Sequence, residues 1–280
     1  MSVAIVDMQS SGADQAFVDT LRETGFAVIR NSLLDASRLQ RMEAAWCEFF
    51  LGDDKWNYPA VETASGNTSG YIPADVSETA VGHSVKDLKE FFHITPETVL
   101  PKELQTDAKG HLADAFTLGY QLLQWLDQHC GEELPAALRG ELADSLSAND
   151  SLFRILHYPP LQGDEPDGAV RAAKHEDINL LTLLPVSREP GLQILTREGN
   201  WEDVPGQAGD IIINSGDMLQ EASSGRFPST SHQVINPPGD AAKRSRISMP
   251  YFMAPRLDVR LSERYTAGSY LHERLEQLAR

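Results

Sequence analysis

Apolar positions recur along this chain with two periods, three to four residues in some stretches and two in others, and the switching between them marks out its elements. Phe17, Val18 and Leu21 fall on one side of a helix predicted from Asp14 to Thr24, and Phe26-Ala27-Val28-Ile29 follows as a short strand. A second helix is expected to open at a cap near Asp35, because Leu39, Met42, Trp46, Phe49 and Phe50 return at three- and four-residue steps. Asp87 to Ile94 reads as a strand ending before Pro96, with Glu90 and Phe92 on one face. A long helix comes next, its stripe formed by Leu112, Ala115, Phe116, Gly119, Leu122, Leu123 and Leu126. His111 and His129 lie off that stripe and are expected at the surface. Between Glu132 and Asp150 the pattern predicts a weaker helical segment and then a turn.

Past Leu152 the period is two. The strand Leu152 to Tyr158 is stopped by Pro159-Pro160 and puts Arg154, Leu156 and Tyr158 on one face, His157 on the other. His175 to Pro185 reads as one buried strand, and shorter ones are expected at Gly191 to Leu195, Asp210 to Ser215, Ser231 to Ile235 and Arg246 to Phe252. Gln162 to Ala173 is rich in Gly, Asp and Pro and reads as a loop. Gly52 to Pro73 is a longer polar segment carrying Trp56, Tyr58 and Tyr71, either a surface loop or a lid over a site. Ser262 to Arg280 predicts a closing helix with Tyr270, Leu271, Leu275 and Leu278 inward and His272 exposed. Many short strands separated by turn residues predict a fold that is mainly β with flanking helices, its core a double-stranded β-helix or jelly roll. Four regions follow: 1–110, a helix and strand region bracing the core; 111–150, a supporting helix; 151–256, the jelly-roll core; and 257–280, a C-terminal helix. Together they make one catalytic domain.

The chemistry concentrates in the later strands. On a strand, residues i and i+2 point to one face, so His175 and Asp177 project together and Glu176 points away. An imidazole and a carboxylate side by side occupy adjacent positions of an octahedral metal, and His232 is the candidate third ligand of a two-histidine, one-carboxylate facial triad. Downstream, Arg246 and Ser248 share a face with Pro250 and Phe252 if the segment is extended, and a guanidinium fork beside a hydroxyl is a ready receptor for a carboxylate.

His175-x-Asp177, then His232, then Arg246-x-Ser248, resembles the isopenicillin N synthase-like family of Fe(II)/2-oxoglutarate dioxygenases. The text between supports it: Gly191-Leu192-Gln193-Ile194-Leu195, Gly209-Asp210-Ile211-Ile212-Ile213-Asn214-Ser215-Gly216-Asp217 and Ser231-His232-Gln233-Val234. The likeness is close over about residues 150 to 256 and looser elsewhere. It implies an Fe(II) site at His175, Asp177 and His232, with 2-oxoglutarate as co-substrate and O2 as the third reactant. The far carboxylate of 2-oxoglutarate would meet Arg246, Ser248 and Tyr158, the last matching the tyrosine of the family's Arg/Lys-x-Asn-x-Tyr-Pro segment. Leu156 stands where that segment carries asparagine.

The resemblance implies a non-heme dioxygenase, most commonly a hydroxylase, acting on a small molecule such as a free amino acid or a natural-product intermediate. Isopenicillin N synthase itself uses Arg-x-Ser to hold its substrate without 2-oxoglutarate, so an oxidase or cyclase of that kind stays open, as does a catalytically silent binding module. A zinc hydrolase would need a general base beside the metal, and Glu176 is out of phase for it. For the substrate, Glu90, Phe92 and Arg154 are the candidates. Glu90 and Arg154 would either grip the ammonium and carboxylate of a zwitterion or pair with each other.

Composition sets limits. The 280 residues suffice for one large domain, and Lys+Arg 24 against Asp+Glu 41 gives a net charge of −17, which argues against a nucleic-acid partner. Cys47 and Cys130 are too few for a disulfide framework. With neither a secretory leader nor a run apolar enough for a membrane span in view, the expected setting is cytoplasmic, without a membrane partner.

Overall fold

A computed structural model describes residues 3–63, 68–76, 85–130, 134–135 and 138–278. It opens with β1 (Ile5–Asp7), α1 (Ala13–Thr24), β2 (Phe26–Arg30) and α2 (Ala36–Leu51). Gly25 ends α1 at φ 73°, its N–H bonded to the Leu21 carbonyl, so the chain reverses at once into β2. Asp35 caps α2 through its side chain, which accepts from the Ser37 and Arg38 amides. Then come β3 (Val61–Glu62), β4 (Thr68–Ile72), β5 (Glu90–Ile94) and α3 (Lys102–Cys130). The second half holds β6 (Leu146–Tyr158), β7 (Ala172–His175), β8 (Leu181–Pro185), β9 (Leu192–Leu195), β10 (Trp201–Asp203) and β11 (Ile211–Ser215). The chain closes with α4 (Asp217–Ala222), β12 (His232–Val234), β13 (Arg246–Ser248), β14 (Tyr251–Pro255) and α5 (Ala267–Leu278).

Among the described residues the strands form two sheets. The larger runs β1-β2-β11-β8-β14-β6-β5-β4-β3 with β13 also on β6, and the smaller runs β10-β9-β12-β7. This is the jelly roll, with its helices outside. α3 lies across β6, β8 and β14 of the large sheet and packs against α1 and α2. Their shared core includes Phe17, Trp46, Phe92, Leu122, Phe153 and Met253, all fully buried or nearly so. β11 is buried on both faces, which explains its unbroken Ile211-Ile212-Ile213 run. The second face of the large sheet meets the small sheet, and a cavity remains between them. No helix among the described residues is long and apolar enough to cross a membrane.

Several expectations need correction. His175 to Pro185 is not one strand: β7 ends at His175, residues 176–180 form a loop, and β8 begins at Leu181. Similarly, Met249-Pro250 separates β13 from β14, since a proline cannot donate to the ladder. The described part of 132–150 forms turns, and β6 starts at Leu146. His111 is 2% exposed, packed on the Phe153 ring at 5.1 Å, because α3 is covered by β6 as well as by the other helices. His129 is half-buried beside Asp14. On α5, Tyr270 and Leu271 pack inward and His272 is exposed as expected, but Leu275 is 51% exposed. The side chain of Leu278 and residues 64–67 of the 52–73 segment lie outside the described residues.

Candidate metal centre

The cavity between the sheets takes Arg154, Leu156 and Tyr158 from β6, Ser248 from β13 and Phe252 from β14 on one side. From the other side come Ala172 and His175 of β7, Leu192 of β9, and His232 and Val234 of β12. β12 pairs with β7 so that His232 lies directly opposite His175. Asp177 reaches the same point from the loop after β7. That loop is pinned by α4 and the residue before it: the Asp217 amide donates to the Asp177 carbonyl at 2.8 Å and the Met218 amide to Asn179 at 3.0 Å. Gly216 is required there, since a Cβ would sit 2.2 Å from Asn179 Oδ1 and 2.4 Å from its carbonyl oxygen.

His175, Asp177 and His232 each offer one ligand atom, and the three atoms lie within 4.8 Å of one another. His175 Nε2 is 3.9 Å and His232 Nε2 3.8 Å from Asp177 Oδ1. Each residue's other polar atom is engaged elsewhere. His175 Nδ1 lies 2.8 Å from the Ala173 carbonyl and His232 Nδ1 3.2 Å from the Thr230 carbonyl; a carbonyl only accepts, so both Nδ1 atoms carry the proton and both Nε2 lone pairs face inward. Asp177 Oδ2 accepts from Thr182 Oγ1 at 2.5 Å and Asn214 Nδ2 at 2.8 Å, which leaves Oδ1 for the centre. Two neutral imidazole nitrogens and one carboxylate oxygen on one side of a common point fit a divalent iron with open positions.

Electrostatics agrees. Burial, then the neighbouring His232, pushes the His175 pKa down to about 4, so its lone pair is available at neutral pH. Burial alone would raise the Asp177 carboxyl, but the two imidazoles and the bonds from Asn214 and Thr182 outweigh it and hold the pKa below the ordinary value.

Next to the lining residues Tyr158 and Ser248, Arg246 pairs in register with Tyr158 across β13 and β6, its guanidinium 5.5 Å from the tyrosine ring centroid. Arg246 is 3% exposed; Nε donates to the Glu189 carbonyl at 3.2 Å, while Nη1 is buried with no partner among the described residues. An orphaned guanidinium donor beside Ser248 and the buried Tyr158 fits the far carboxylate of 2-oxoglutarate. Burial raises the Tyr158 pKa, so the phenol stays protonated and able to donate.

The substrate candidates separate. Glu90 opposes His157 and Phe92 opposes Ile155, so both face the helices rather than the cavity. Glu90 accepts from Lys55 at 3.0 Å and from Tyr71, and its other oxygen lies 2.7 Å from His157 Nδ1; Phe92 packs on Trp46 at 5.2 Å. Burial tends to raise the Glu90 pKa, but the His157, Tyr71 and Lys55 bonds bring it below normal. Arg154 stands on the cavity face. Neither an Arg154–Glu90 zwitterion grip nor an Arg154–Glu90 salt bridge therefore exists, because successive residues of β5 point to opposite sides of the sheet.

The family profile described as the 2OG-Fe(II) oxygenase superfamily matches residues 149–255. Gibberellin 2-beta-dioxygenase 2 of Arabidopsis thaliana is 30% identical over 273 residues, covering 93% of this chain and 76% of its own. Gibberellin 3-beta-dioxygenase 1 of Oryza sativa subsp. japonica is 39% identical over 291 residues, covering 96% and 72%. The chain belongs to the 2OG-Fe(II) oxygenase superfamily. Among solved structures, a Shewanella oneidensis protein provisionally described as an oxygenase is 44% identical with a TM-score of 0.88, covering 100% of this chain and 99% of its own. As in other 2OG-Fe(II) oxygenases, Fe(II) is the metal and 2-oxoglutarate the co-substrate.

Residues of this oxygenase site that sequence reasoning passed over include Thr182 and Asn214, which hold Asp177. Their signal was present: Thr182 is the one polar position of β8, and Asn214 directly follows the Ile211-Ile212-Ile213 run of β11. Arg171 had no such signal. It is 0% exposed, donates through Nη2 to the Arg244 carbonyl at 2.9 Å, and leaves Nε and Nη1 without partners among the described residues. Burial and the nearby charge of Arg246 lower its pKa.

Proposed function

We propose that this chain is an Fe(II)- and 2-oxoglutarate-dependent hydroxylase of a small organic molecule, working in the cytoplasm. One observation carries the reading: the second polar atom of every triad residue is bonded away from the centre, so three ligand atoms converge and the rest of the coordination sphere is left to small molecules. When bound, Fe(II) with 2-oxoglutarate supplies the O2-dependent oxidation, yielding succinate and CO2. The protein's part is orientation. His175, Asp177 and His232 hold the metal, Arg246 and Ser248 with Tyr158 fix the co-substrate's far end, and Leu156, Leu192 and Val234 keep water from the space between.

The relatives named for gibberellins support a small-molecule substrate. A free amino acid loses its main support, because Glu90 lies across the sheet. Two free cysteines suit a reducing compartment. Anaerobic titration with Fe(II) and 2-oxoglutarate is expected to produce a visible charge-transfer band, and turnover is expected to release one succinate per O2. Substrate-dependent O2 uptake without succinate would instead mark an oxidase of the isopenicillin N synthase kind, and metal binding without O2 uptake a silent module.

A further inference from the structure

Apart from Trp46, no fully buried side chain among the described residues is larger than that of Arg171, and it is a cation. Arg171 stands just before β7, its amide bonded to Asn236 Oδ1 at 3.0 Å while Asn236 Nδ2 donates to the Ala169 carbonyl at 2.8 Å. The next residue, Ala172, lines the cavity and packs in one buried cluster with Leu156 and Tyr158. From the start of β7 in the small sheet the Arg171 side chain reaches across to the large one, where Nη2 donates to the Arg244 carbonyl at 2.9 Å, two residues before Arg246. Arg246 is itself buried in register with Tyr158. Burial first, and then the charge of Arg246, lower the Arg171 pKa, as expected of two like charges held close together.

The partners of this pair are not acids. Among the described residues the two guanidiniums donate to carbonyl oxygens, those of Arg244 and Glu189, while Arg171 Nε, Arg171 Nη1 and Arg246 Nη1 are buried with no partner. The carboxylates whose charges reach Arg246 are engaged elsewhere: Glu189 accepts from Arg244 through both oxygens, at 2.8 and 3.0 Å, and Glu43 pairs with Arg188 at 3.1 Å. Burying one unpaired cation is costly, and a second beside it adds repulsion to lost hydration. Orphaned donors on two neighbouring cations are the counterpart of one bound anion. A carboxylate offers about four acceptor positions. Arg246, Ser248 and Tyr158 account for three of them, and Arg171 can supply the fourth donor.

We infer that Arg171 is a second arginine of the co-substrate site, that it shares the far carboxylate of 2-oxoglutarate with Arg246, and that the pair selects a 2-oxo acid bearing a far carboxylate over one without it. The inference rests on the oxygenase reading and deepens it, since Arg246, Ser248 and Tyr158 form a carboxylate receptor with or without Arg171.

The test has two arms. In the first, the metal-free protein is heated with glutarate or with glutaramide, its uncharged analogue. Glutarate is expected to raise the melting temperature at a concentration where glutaramide does not, and Arg171→Met should diminish that rise. In the second, the protein is loaded anaerobically with Fe(II), and the charge-transfer band follows titration with 2-oxoglutarate or with 2-oxopentanoate, which has the same chain length and no far carboxylate. Arg171→Met should weaken 2-oxoglutarate binding about ten- to hundred-fold and leave 2-oxopentanoate binding unmoved. Arg171→Lys, which keeps the charge without the fork, should recover part of the loss. A purely structural role through the Arg244 carbonyl would instead weaken both oxo acids alike. Equal loss of both, loss of neither, or stabilisation by glutaramide as large as by glutarate overturns the proposal. Should Arg171→Met fail to fold, the ratio of the two oxo-acid affinities in Arg171→Lys decides: a lowered preference for 2-oxoglutarate supports the pair, and an unchanged one overturns it. Absence of a band with either oxo acid in the unmodified protein would refute the oxygenase reading, while the glutarate arm would still report on the two arginines.

Discussion

At the scale of single residues, Asp177 divides its two oxygens between protein and metal. Oδ2 takes the Thr182 hydroxyl and the Asn214 amide, and Thr182 in turn accepts from Asn179 Nδ2 at 2.8 Å, so the carboxylate plane is fixed before any metal arrives. Asn214→Leu and Thr182→Val should each lower Fe(II) affinity by about ten- to hundred-fold while all three ligands remain; competition with a chelating dye measures this. His111 makes a different prediction. Its pKa is pushed down to about 4, first by burial and then by Arg38. The folded protein keeps this ring neutral while the unfolded chain protonates it near pH 6.5, so its stabilising effect is present above that pH and lost as pH falls toward 4. The difference amounts to about 3 kcal/mol. Replacing His111 with Phe should flatten the pH dependence of urea stability between pH 7 and 4 by about that amount relative to the parent.

At the scale of elements, α3 lies close on β14. A Cβ at Gly119 would stand 2.0 Å from Met253 Sδ and 2.2 Å from its methyl carbon, and Met253 is fully buried. Alanine at Gly119 gains about 1 kcal/mol of helix propensity, but crowding this contact costs about 1–3 kcal/mol. Gly119→Ala should therefore destabilise by about 1 kcal/mol net, and a double-mutant cycle with Met253→Ala should show a favourable coupling of similar size. Contacts of this kind are not written in periodicity, and that explains what the chain did and did not reveal. The stripe on α3 and the parity of β6 were legible because both follow local geometry, and so were the residues of the triad. That His175 ends β7 while Asp177 sits in a loop was not, since the loop is set by amides at α4 more than thirty residues away. Glu90 shows the same limit. Parity predicts that Glu90 and Phe92 share a face, and they do, but which face meets the cavity depends on pairing with β6 and on α2 covering the other side.

At the scale of the whole molecule, the N-terminal region is part of the sheet that frames the site. β2 lies between β1 and β11, with Ala27 opposite Ile213 and Phe26 opposite Asn214, the residue that holds Asp177. Phe26 also meets the His232 ring edge-on at 5.7 Å. On the outer side, α1 rests on α3 through Phe17, which is fully buried with its ring 5.9 Å from that of Trp125. Damage to the outer helix should therefore reach the metal site. Phe17→Ala removes a buried ring and should cost about 3–5 kcal/mol. If residues 1–110 only braced a separately stable core, that loss would appear as an earlier transition of its own, and metal binding would survive to the parental urea concentration. If the sheet is one cooperative body, tryptophan fluorescence, far-ultraviolet circular dichroism and loss of the Fe(II)–2-oxoglutarate band should all shift together to lower urea in the variant. Continuity of the large sheet from β1 to β3 favours the second outcome.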